Sequence, residues 1–199
     1  MTPLTLRWEW RAFGSSFGEA EARLRTFLGP PRLSTETYLV APVRNANVKI
    51  RDDLLDLKAL DRVDRHGLEL WRPVLKSPFP LDRSILASII DAWSLPHPEP
   101  LHDCASMGEL VAYLREVAPQ IVAVQVTKAR AGALWHECQV EIAELTFDSV
   151  PIRTLAVEMP NPEHLWATLQ ELGLEHQDNE NYVRALQRFI AQRAPSVTR

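Results

Sequence analysis

Hydrophobic and polar positions alternate in short runs along this chain, and the first clear run is RWEWRAFG near the N-terminus. Successive side chains of a β-strand point to opposite faces, so an alternation with a period of two predicts a strand. Arg7, Glu9 and Arg11 would share one face of that strand. Trp8 and Trp10 would share the other face and pack on apolar neighbours. The charged face would meet either solvent or an enclosed cavity.

The same reasoning predicts about eight strands and five helices in the chain. The predicted strands cover residues 4–13, 32–42, 45–60 (two strands with a turn near Asp52 and Asp53), 67–76, 120–147 (a hairpin that turns at Ala131 and Gly132) and 150–160. The predicted helices cover residues 14–29, 77–93, 106–119, 161–174 and 179–194. Residues suited to cap helix starts are Ser16, Ser106 (with Glu109 in a capping box) and Asn161 (before Pro162).

Short turns join most of the predicted strands, and this pattern favours an antiparallel sheet. About eight antiparallel strands can close into a small barrel. We therefore expect an α+β fold in which an eight-stranded antiparallel β-barrel is flanked by helices. The length of 199 residues fits one large domain, so we expect a single domain over residues 1–199.

Charged residues recur on one face of most predicted strands. The pairs and single positions are Lys49 with Arg51, Asp56 with Lys58, Glu69, Lys128 with Arg130, and Glu137 and Gln139 with Glu141. Arg153 and Glu158 also share a strand, but on opposite parities unless a bulge intervenes. An antiparallel sheet with one face in water gives the same alternation, so the solvated face is the alternative to an enclosed charged cavity.

An enclosed cavity of this kind would have a specific chemistry. Lysines and arginines in a narrow space repel one another and would be satisfied by a polyanion, to which arginine offers a bidentate fork. Carboxylates among them could hold Mg²⁺ or Mn²⁺, which bridges carboxylate and phosphate oxygens and positions an attacking water. Glu9, Glu141 and Glu158 are the predicted metal ligands.

These strands resemble the CYTH, or triphosphate tunnel metalloenzyme, superfamily, whose first strand carries an ExExK motif. RWEWR stands at that place, with Glu9 at the second glutamate and Arg11 in place of the lysine. The further matching segments are VKIR (Lys49, Arg51), LDLKAL (Lys58), LELWR (Glu69), VTKAR (Lys128, Arg130), VEIAEL (Glu141) and RTLAVE (Arg153, Glu158). Arg7 replaces the first glutamate of the motif, and Ala156 stands where a further carboxylate would be expected.

The resemblance implies a tunnel-shaped barrel that hydrolyses a triphosphate-bearing substrate with the help of Mg²⁺ or Mn²⁺. It implies a catalytic role for Lys49, Arg51 and Lys58. The substrate-binding set that it implies comprises Arg11, Lys49, Arg51, Lys58, Lys128, Arg130 and Arg153. Arg7 and Ala156 reduce the capacity for metal, so one alternative is a degenerate tunnel that binds a phosphorylated metabolite or polyphosphate without turnover. A second alternative is a class IV-type adenylate cyclase, which needs the same phosphate-binding residues as a hydrolase.

Composition narrows the range of partners. The formal net charge of −4 argues weakly against nonspecific nucleic-acid binding, so any anion site must be a local concentration of basic residues. The small phosphorylated ligand that we expect is the one that the family resemblance implies. The chain has no long apolar segment for a membrane span and no signal-peptide pattern at its N-terminus. Cys104 and Cys138 lack zinc or disulfide spacing, which fits a cytoplasmic protein. Apolar positions on the last two predicted helices are compatible with a homodimer and equally with core packing.

Overall fold

The structure is a computed structural model that describes residues 6–43 and 45–193. In these ranges the strands are β1 (Arg7–Gly14), β2 (Arg32–Val40), β3 (Ala46–Arg51), β4 (Leu54–Val63), β5 (Glu69–Pro78), β6 (Val122–Trp135), β7 (Cys138–Phe147) and β8 (Val150–Met159). The helices are α1 (Gly18–Arg25), α2 (Arg83–Ala92), α3 (Met107–Val117), α4 (Pro162–Leu172) and α5 (Tyr182–Arg193). Their order along the chain is the predicted one.

Some predictions reach residues outside the described ranges. These are the first two residues of the strand predicted over 4–13, the last residue of the helix predicted over 179–194, and both ends of the domain predicted over 1–199. Within the described part of the chain, none of the helices combines the length and the apolar character needed to span a membrane.

The strands form a closed barrel in the order β1-β5-β4-β3-β2-β6-β7-β8. Neighbouring strands run antiparallel, as in the pairs β1 with β5 and β1 with β8. The prediction of an α+β fold with an eight-stranded antiparallel barrel and flanking helices is therefore confirmed. Closure gives each of the eight described strands a neighbour on both sides, which pairs backbone groups that the edges of an open sheet would present to solvent.

Two-residue turns connect three of the hairpins, and each turn has two consecutive residues with positive φ. They are Asp52 and Asp53, His136 and Glu137, and Asp148 and Ser149. Positive φ at both positions is the geometry of a type I′ turn, whose twist matches that of the flanking strands. The turn near Asp52 was predicted correctly. The predicted turn at Ala131 and Gly132 was wrong, because β6 continues through these residues to Trp135.

Side-chain caps set the starts of several helices. Ser106 accepts a hydrogen bond from the Glu109 backbone N–H, and Asn161 accepts one from that of His164, so both predicted caps are confirmed. The predicted cap Ser16 was wrong, because α1 has Phe17 at the N-cap position and no side-chain cap bond. Asp82, which was not predicted, caps α2 through the backbone N–H groups of the next turn.

Clustering of contacts divides the chain into two compact units. The first unit contains the residues up to 35 together with 60–72 and 127–181, and the second contains 36–59, 73–126 and the residues from 182 onward. The single domain expected over residues 1–199 stays a prediction. Each unit has its own apolar core.

In the first unit, the apolar face of β1 lies under helices. Trp10 is 1% exposed and clusters with Leu24 of α1 and with Leu165 and Leu169 of α4. Trp8 belongs to the same cluster. The two tryptophans therefore pack beneath helices, as their parity in the strand predicted.

In the second unit, β3 and β4 show the same division into two faces. Their buried residues Val48, Ile50, Leu55 and Leu57 cluster with side chains of α2 and α3. The residues between them, which include Lys49, are only half-buried. In both units, helices thus cover the apolar face of the strands, and the opposite face carries the charged residues.

Candidate functional site

Arg11 is the centre of the charged face in the first unit, and its side chain is almost fully buried at 5% exposure. Its Nε donates a hydrogen bond to Glu9 Oε1 at 2.9 Å. Its Nη1 donates to Glu141 Oε1 and to Thr154 Oγ1, each at 3.4 Å. We call these four residues the Arg11 cluster. A buried guanidinium retains its charge in proteins, so the two carboxylates compensate it locally.

The register of three strands explains how Arg11 reaches Glu141. Arg11 of β1 lies opposite Ala156 of β8, and Ala156 in turn lies opposite Glu141 of β7. Alanine occupies the middle position with a single methyl group, so the guanidinium can extend across it to the carboxylate. Ala156 therefore does more than leave out the carboxylate expected at this position, because its small side chain also makes room for the Arg11 guanidinium.

A segment after α4 fixes the backbone of Arg11. Asn179 Oδ1 accepts a hydrogen bond from the Arg11 N–H at 2.9 Å, and the Glu180 N–H donates to the Arg11 carbonyl at 2.7 Å. Asn179 Nδ2 also donates to the Gly67 carbonyl at 2.7 Å. These bonds hold β1 at the point where its register with β5 ends, and thereby position the buried arginine.

Three glutamates lie in register on neighbouring strands beside this cluster. Glu9 of β1 is opposite Glu69 of β5 on one side and opposite Glu158 of β8 on the other. Glu69 is buried and accepts hydrogen bonds from Trp71 Nε1 at 3.0 Å and from Asn181 Nδ2 at 2.9 Å. The neutral donors around Glu69 contrast with the arginine that compensates Glu9.

Glu158 lies near a second arginine. Arg7 Nη1 is 4.0 Å from Glu158 Oε2 and donates a hydrogen bond to Gln139 Oε1 at 2.6 Å. Beside these residues is a cavity of about 380 Å³, lined among others by Gln139, Glu141, Ala156 and Glu158. Arg130 approaches Glu141 to 3.9 Å. The first unit thus brings together the predicted residues Glu9, Arg11, Arg130, Glu141 and Glu158.

Glu36 is the centre of the charged face in the second unit, and its side chain is 0% exposed. Tyr38 Oη donates to Glu36 Oε2 at 3.0 Å, and Lys49 Nζ lies 3.4 Å from the same oxygen. Arg51 Nη1 donates to Glu36 Oε1 at 3.3 Å. We call these four residues the Glu36 cluster. Glu36 is not among the site residues predicted from the sequence, although it lies in a predicted strand on the same face as Tyr38.

Two residues of β4 extend this charged face. Asp56 lies opposite Lys49 in the register, and Lys58 lies opposite Asn47. Lys58 forms no hydrogen bond or salt bridge with any residue that the structure describes. Burial lowers the pKa of Lys49, an effect that Glu36 and Asp56 oppose and that Lys58 and Arg51 reinforce. The pKa of Lys49 thus reflects two neighbouring cations and two neighbouring carboxylates, and Arg51 has a further, 91% exposed partner in Asp52 at 3.8 Å.

Arg153 has different partners from Arg11 and Arg130, the predicted substrate-binding residues near Glu141. The register of β1 with β8 runs unbroken from Glu158 to Arg153, so the two residues point to opposite faces. Arg153 Nη2 lies 2.6 Å from Glu21 of α1, and its Nε lies 2.6 Å from Glu144. This pairing lowers the pKa of Glu21 to about 2. Strand parity thus directs Arg153 to α1, and its predicted role in substrate binding stays a prediction.

Lys128 is also buried, at 4% exposure. It lies in β6 and lines a separate cavity of about 570 Å³ together with Thr127 and Thr146. Lys128 and Arg130 share one parity of β6, but the cavity near Glu141 and Glu158 does not include Lys128 among its lining residues. Its predicted role in substrate binding stays a prediction.

The predicted metal ligands Glu9, Glu141 and Glu158 do not fit a preformed divalent-cation site. In residues 6–43 and 45–193, no group of three or more histidine, cysteine, aspartate or glutamate side chains is arranged to hold a metal ion. Each of the three glutamates instead has an arginine within 4.0 Å. A binding role for Mg²⁺ or Mn²⁺ stays a prediction from sequence.

Comparison with known proteins yields similarity at the level of the fold. No protein-family model and no curated protein matches the sequence. A conserved hypothetical protein from Pyrococcus furiosus superposes with a TM-score of 0.51 at 13% identity, covering 89% of this chain and 98% of that one. At this identity the likeness shows a shared fold alone.

Two further solved structures score lower. A proposed adenylate cyclase from Bacillus halodurans has a TM-score of 0.46 at 14% identity, covering 91% of this chain and 95% of that one. A proposed adenylyl cyclase from Hippeastrum, described as having a dominant triphosphatase activity, has a TM-score of 0.44 at 13% identity, covering 86% and 89%. Similarities at these scores carry no argument about the chemistry of this chain.

Proposed function

We propose that this protein is a divergent relative of the CYTH superfamily and binds a triphosphate-bearing small molecule through Lys49, Arg51 and Lys58. The observation that carries the proposal is the excess of positive charge around Lys49. Lys58 has no ionic partner among the described residues, and Lys49 and Arg51 share the buried carboxylate Glu36. Arg51 has one further partner, Asp52 at 3.8 Å, whose side chain is 91% exposed and therefore compensates it only weakly. Burial lowers the pKa of Lys49 despite two nearby carboxylates, so an added anion would stabilise its charged form.

The three side chains differ in ways that suit a phosphate chain. Arg51 offers a planar fork that can bind two phosphate oxygens, whereas Lys49 and Lys58 act as compact charges. The side chains of Lys49 and Arg51 are 19% and 32% exposed, so a ligand can reach them while water screens them only partly. Glu36 would orient Lys49 and Arg51 through the contacts described above.

Binding without turnover fits the charged residues better than metal-dependent hydrolysis. Hydrolysis of the expected type needs carboxylates that can hold a divalent cation, and the three candidates are already compensated by arginines. We therefore favour a binding protein over a triphosphatase. A cyclase would need the same phosphate-binding residues, so the test below also looks for its cyclic product.

The test measures the melting temperature of the full chain with inorganic triphosphate, ATP or orthophosphate, in EDTA and in Mg²⁺. A ligand that binds only the native state raises the melting temperature. We expect triphosphate to raise it in EDTA, without release of phosphate and without formation of a cyclic nucleotide. Lys58→Met should reduce the shift. Lys76→Met is the matched control, because Lys76 is an exposed lysine of β5, and this variant should keep the shift.

Two other outcomes would change the conclusion. Phosphate release that requires Mg²⁺ and disappears in Lys49→Met would identify a hydrolase. No melting shift with any of the three anions would mean that the cations around Lys49 serve only the stability of the fold.

A further inference from the structure

We infer that Arg11 is a built-in counter-cation that takes the place of a divalent metal between Glu9 and Glu141, so that the protein binds neither Mg²⁺ nor Mn²⁺ at these carboxylates. This inference concerns the metal alone and does not depend on the proposed anion binding. It rests on the burial of Arg11, on its contacts and on the neighbours of the three predicted metal ligands.

The burial of Arg11 makes it difficult to displace. Its side chain is 5% exposed, and it donates to one carboxylate oxygen of Glu9 and one of Glu141. A metal ion that took those oxygens would leave a buried guanidinium without its anionic partners. Breaking a buried ion pair in this way is strongly unfavourable, because the remaining charge has lost its hydration as well as its partner. Arginine also cannot lose its proton to make room for a second cation.

The polar environment fixes Arg11 in this position. Thr154 Oγ1 accepts from its Nη1, and the hydroxyl of Thr154 donates to the Ala12 carbonyl at 2.7 Å, so the threonine is itself held in place. Ala156 supplies the space across which the guanidinium reaches Glu141. A larger residue at position 156 would block this path. Residues of more than one strand position therefore hold the Arg11 side chain between Glu9 and Glu141.

The outer carboxylates are compensated as well. Arg130 lies 3.9 Å from Glu141 Oε2, and Arg7 lies 4.0 Å from Glu158 Oε2. A divalent ion at any pair of these glutamates would lie close to at least one guanidinium, and like charges at such distances repel. Arg7, Arg11 and Arg130 together thus supply positive charge at the place where a metal would otherwise be required.

The test is a titration of the full chain with Mn²⁺ alone, in which the electron paramagnetic resonance signal of hydrated Mn²⁺ reports the free ion. The wild-type protein should show no site below ~1 mM Mn²⁺. Arg11→Gln leaves Glu9 and Glu141 in place and removes the cation between them. It should gain one Mn²⁺ site that is at least ~10-fold tighter than any binding by the wild type, or ~1.4 kcal/mol. Adding Glu9→Gln to this variant should abolish the gain.

Arg153→Gln is the matched control. Arg153 also lies between two carboxylates, Glu21 and Glu144, but Glu21 keeps a direct hydrogen bond from Arg25 at 2.5 Å. In Arg11→Gln, by contrast, the arginine that stays near Glu141 is Arg130, at the longer distance of 3.9 Å. Arg153→Gln should therefore not gain Mn²⁺ binding. Arg11→Lys retains the positive charge and should exclude Mn²⁺ as the wild type does, and circular dichroism should show that each variant is folded.

Two results would overturn the inference. The first is wild-type binding of Mn²⁺ below ~1 mM that Glu9→Gln removes, a result that needs no Arg11 variant and so stands even if Arg11→Gln does not fold. The second is a folded Arg11→Gln that gains no Mn²⁺ site, since the position of Arg11 would then not be one that a metal can occupy.

Discussion

The Arg11 cluster and the Glu36 cluster each bury a charged side chain, but the buried charges have opposite signs. In the first, one buried cation is held by two carboxylates of other strand positions, Glu9 and Glu141. In the second, one buried anion is held by two cations, Lys49 and Arg51, and by a tyrosine hydroxyl. The Arg11 cluster therefore has an excess of carboxylates around its centre, and the Glu36 cluster has an excess of cations.

The difference shows why the two clusters would respond differently to an added ion. Further arginines approach the carboxylates of the Arg11 cluster from outside, as Arg130 does at 3.9 Å from Glu141. The cations of the Glu36 cluster gain a third neighbour of the same sign, Lys58, which has no ionic partner in the described residues. The first cluster is thus neutralised within the chain, whereas the second has the excess of cations on which the proposed anion binding rests.

Arg153 gives a reference for both clusters, because it lies on the opposite face of β8. It is a cation between Glu21 and Glu144, like Arg11 between its two glutamates, but it connects a strand to α1. A comparison of its energetics with those of the other two clusters would separate the stabilisation of the fold from the properties of a binding site.

The largest effect is expected from Glu36→Gln. This change leaves Lys49 and Arg51 without the carboxylate that they share, and removal of one partner of a buried ion pair costs about 3–5 kcal/mol. Urea unfolding at neutral pH measures the loss. The control is Asp56→Asn, since Asp56 is half-buried and forms no hydrogen bond with any described residue, and its loss should stay below about 1 kcal/mol. Equal losses would show that Glu36 is not the centre of the cluster.

The second largest effect is the loss of stability at acidic pH that the ion pair between Glu21 and Arg153 predicts. The Arg153 hydrogen bond is the main cause that lowers the pKa of Glu21 from 4.5 to about 2. A lowered carboxyl pKa stabilises the fold above the unfolded value, and that stabilisation is lost as the pH falls from 4.5 to about 2. A shift of this size corresponds to about 3 kcal/mol.

Unfolding free energies of wild type and Glu21→Gln across this pH range measure that effect. The difference between the two proteins should shrink as the pH falls. Glu19 is an exposed residue of the same helix, and the control variant Glu19→Gln should show the same pH dependence of the unfolding free energy as the wild type. If the unfolding free energy of Glu21→Gln had the same pH dependence as that of the wild type, Glu21 would not have a lowered pKa in the folded protein.

A third, smaller effect is expected from Arg11→Met. The change leaves Glu9 and Glu141 without their shared cation, but their side chains are 20% and 29% exposed and can recover hydration. We expect a loss of about 2 kcal/mol in the unfolding free energy, less than for Glu36→Gln. Arg7→Met removes an arginine with a 42% exposed side chain and should cost less than about 0.5 kcal/mol. A larger loss for Arg7→Met than for Arg11→Met would contradict this ranking.

The smallest effect is expected in alkaline solution. Burial lowers the pKa of Lys49 below its ordinary value of 10.5, so near that pH the unfolded chain binds a proton that the folded chain has released. Stability should then rise with pH through the pKa of Lys49 and stop rising at 10.5. Lys49→Met should lack this rise when unfolding is measured from neutral pH upward. A wild-type curve that coincides in shape with that of the variant would show that Lys49 titrates normally.

The sequence alone determined which residues share a face of each strand. The alternation in RWEWRAFG placed Arg11 and Glu9 on the face opposite the buried tryptophans. The opposite parities of Arg153 and Glu158 likewise indicated that these two side chains lie on opposite faces of their strand. The eight strands, the five helices and their order followed from the same periodicity. These features depend only on neighbouring residues, whose geometry in a strand is constant.

Only the tertiary structure decided which charges meet. Arg11 and Glu141 are 130 positions apart, and their contact depends on the register of β1, β8 and β7 around Ala156. The burial of Glu36 and the hydrogen bond from the Arg11 N–H to Asn179 likewise depend on the tertiary structure. Neither can be predicted from the residues next to them in sequence. Periodicity assigns a side chain to a face, but the register between strands is set by turns and by closure of the sheet, and a one-residue slip would exchange every partner.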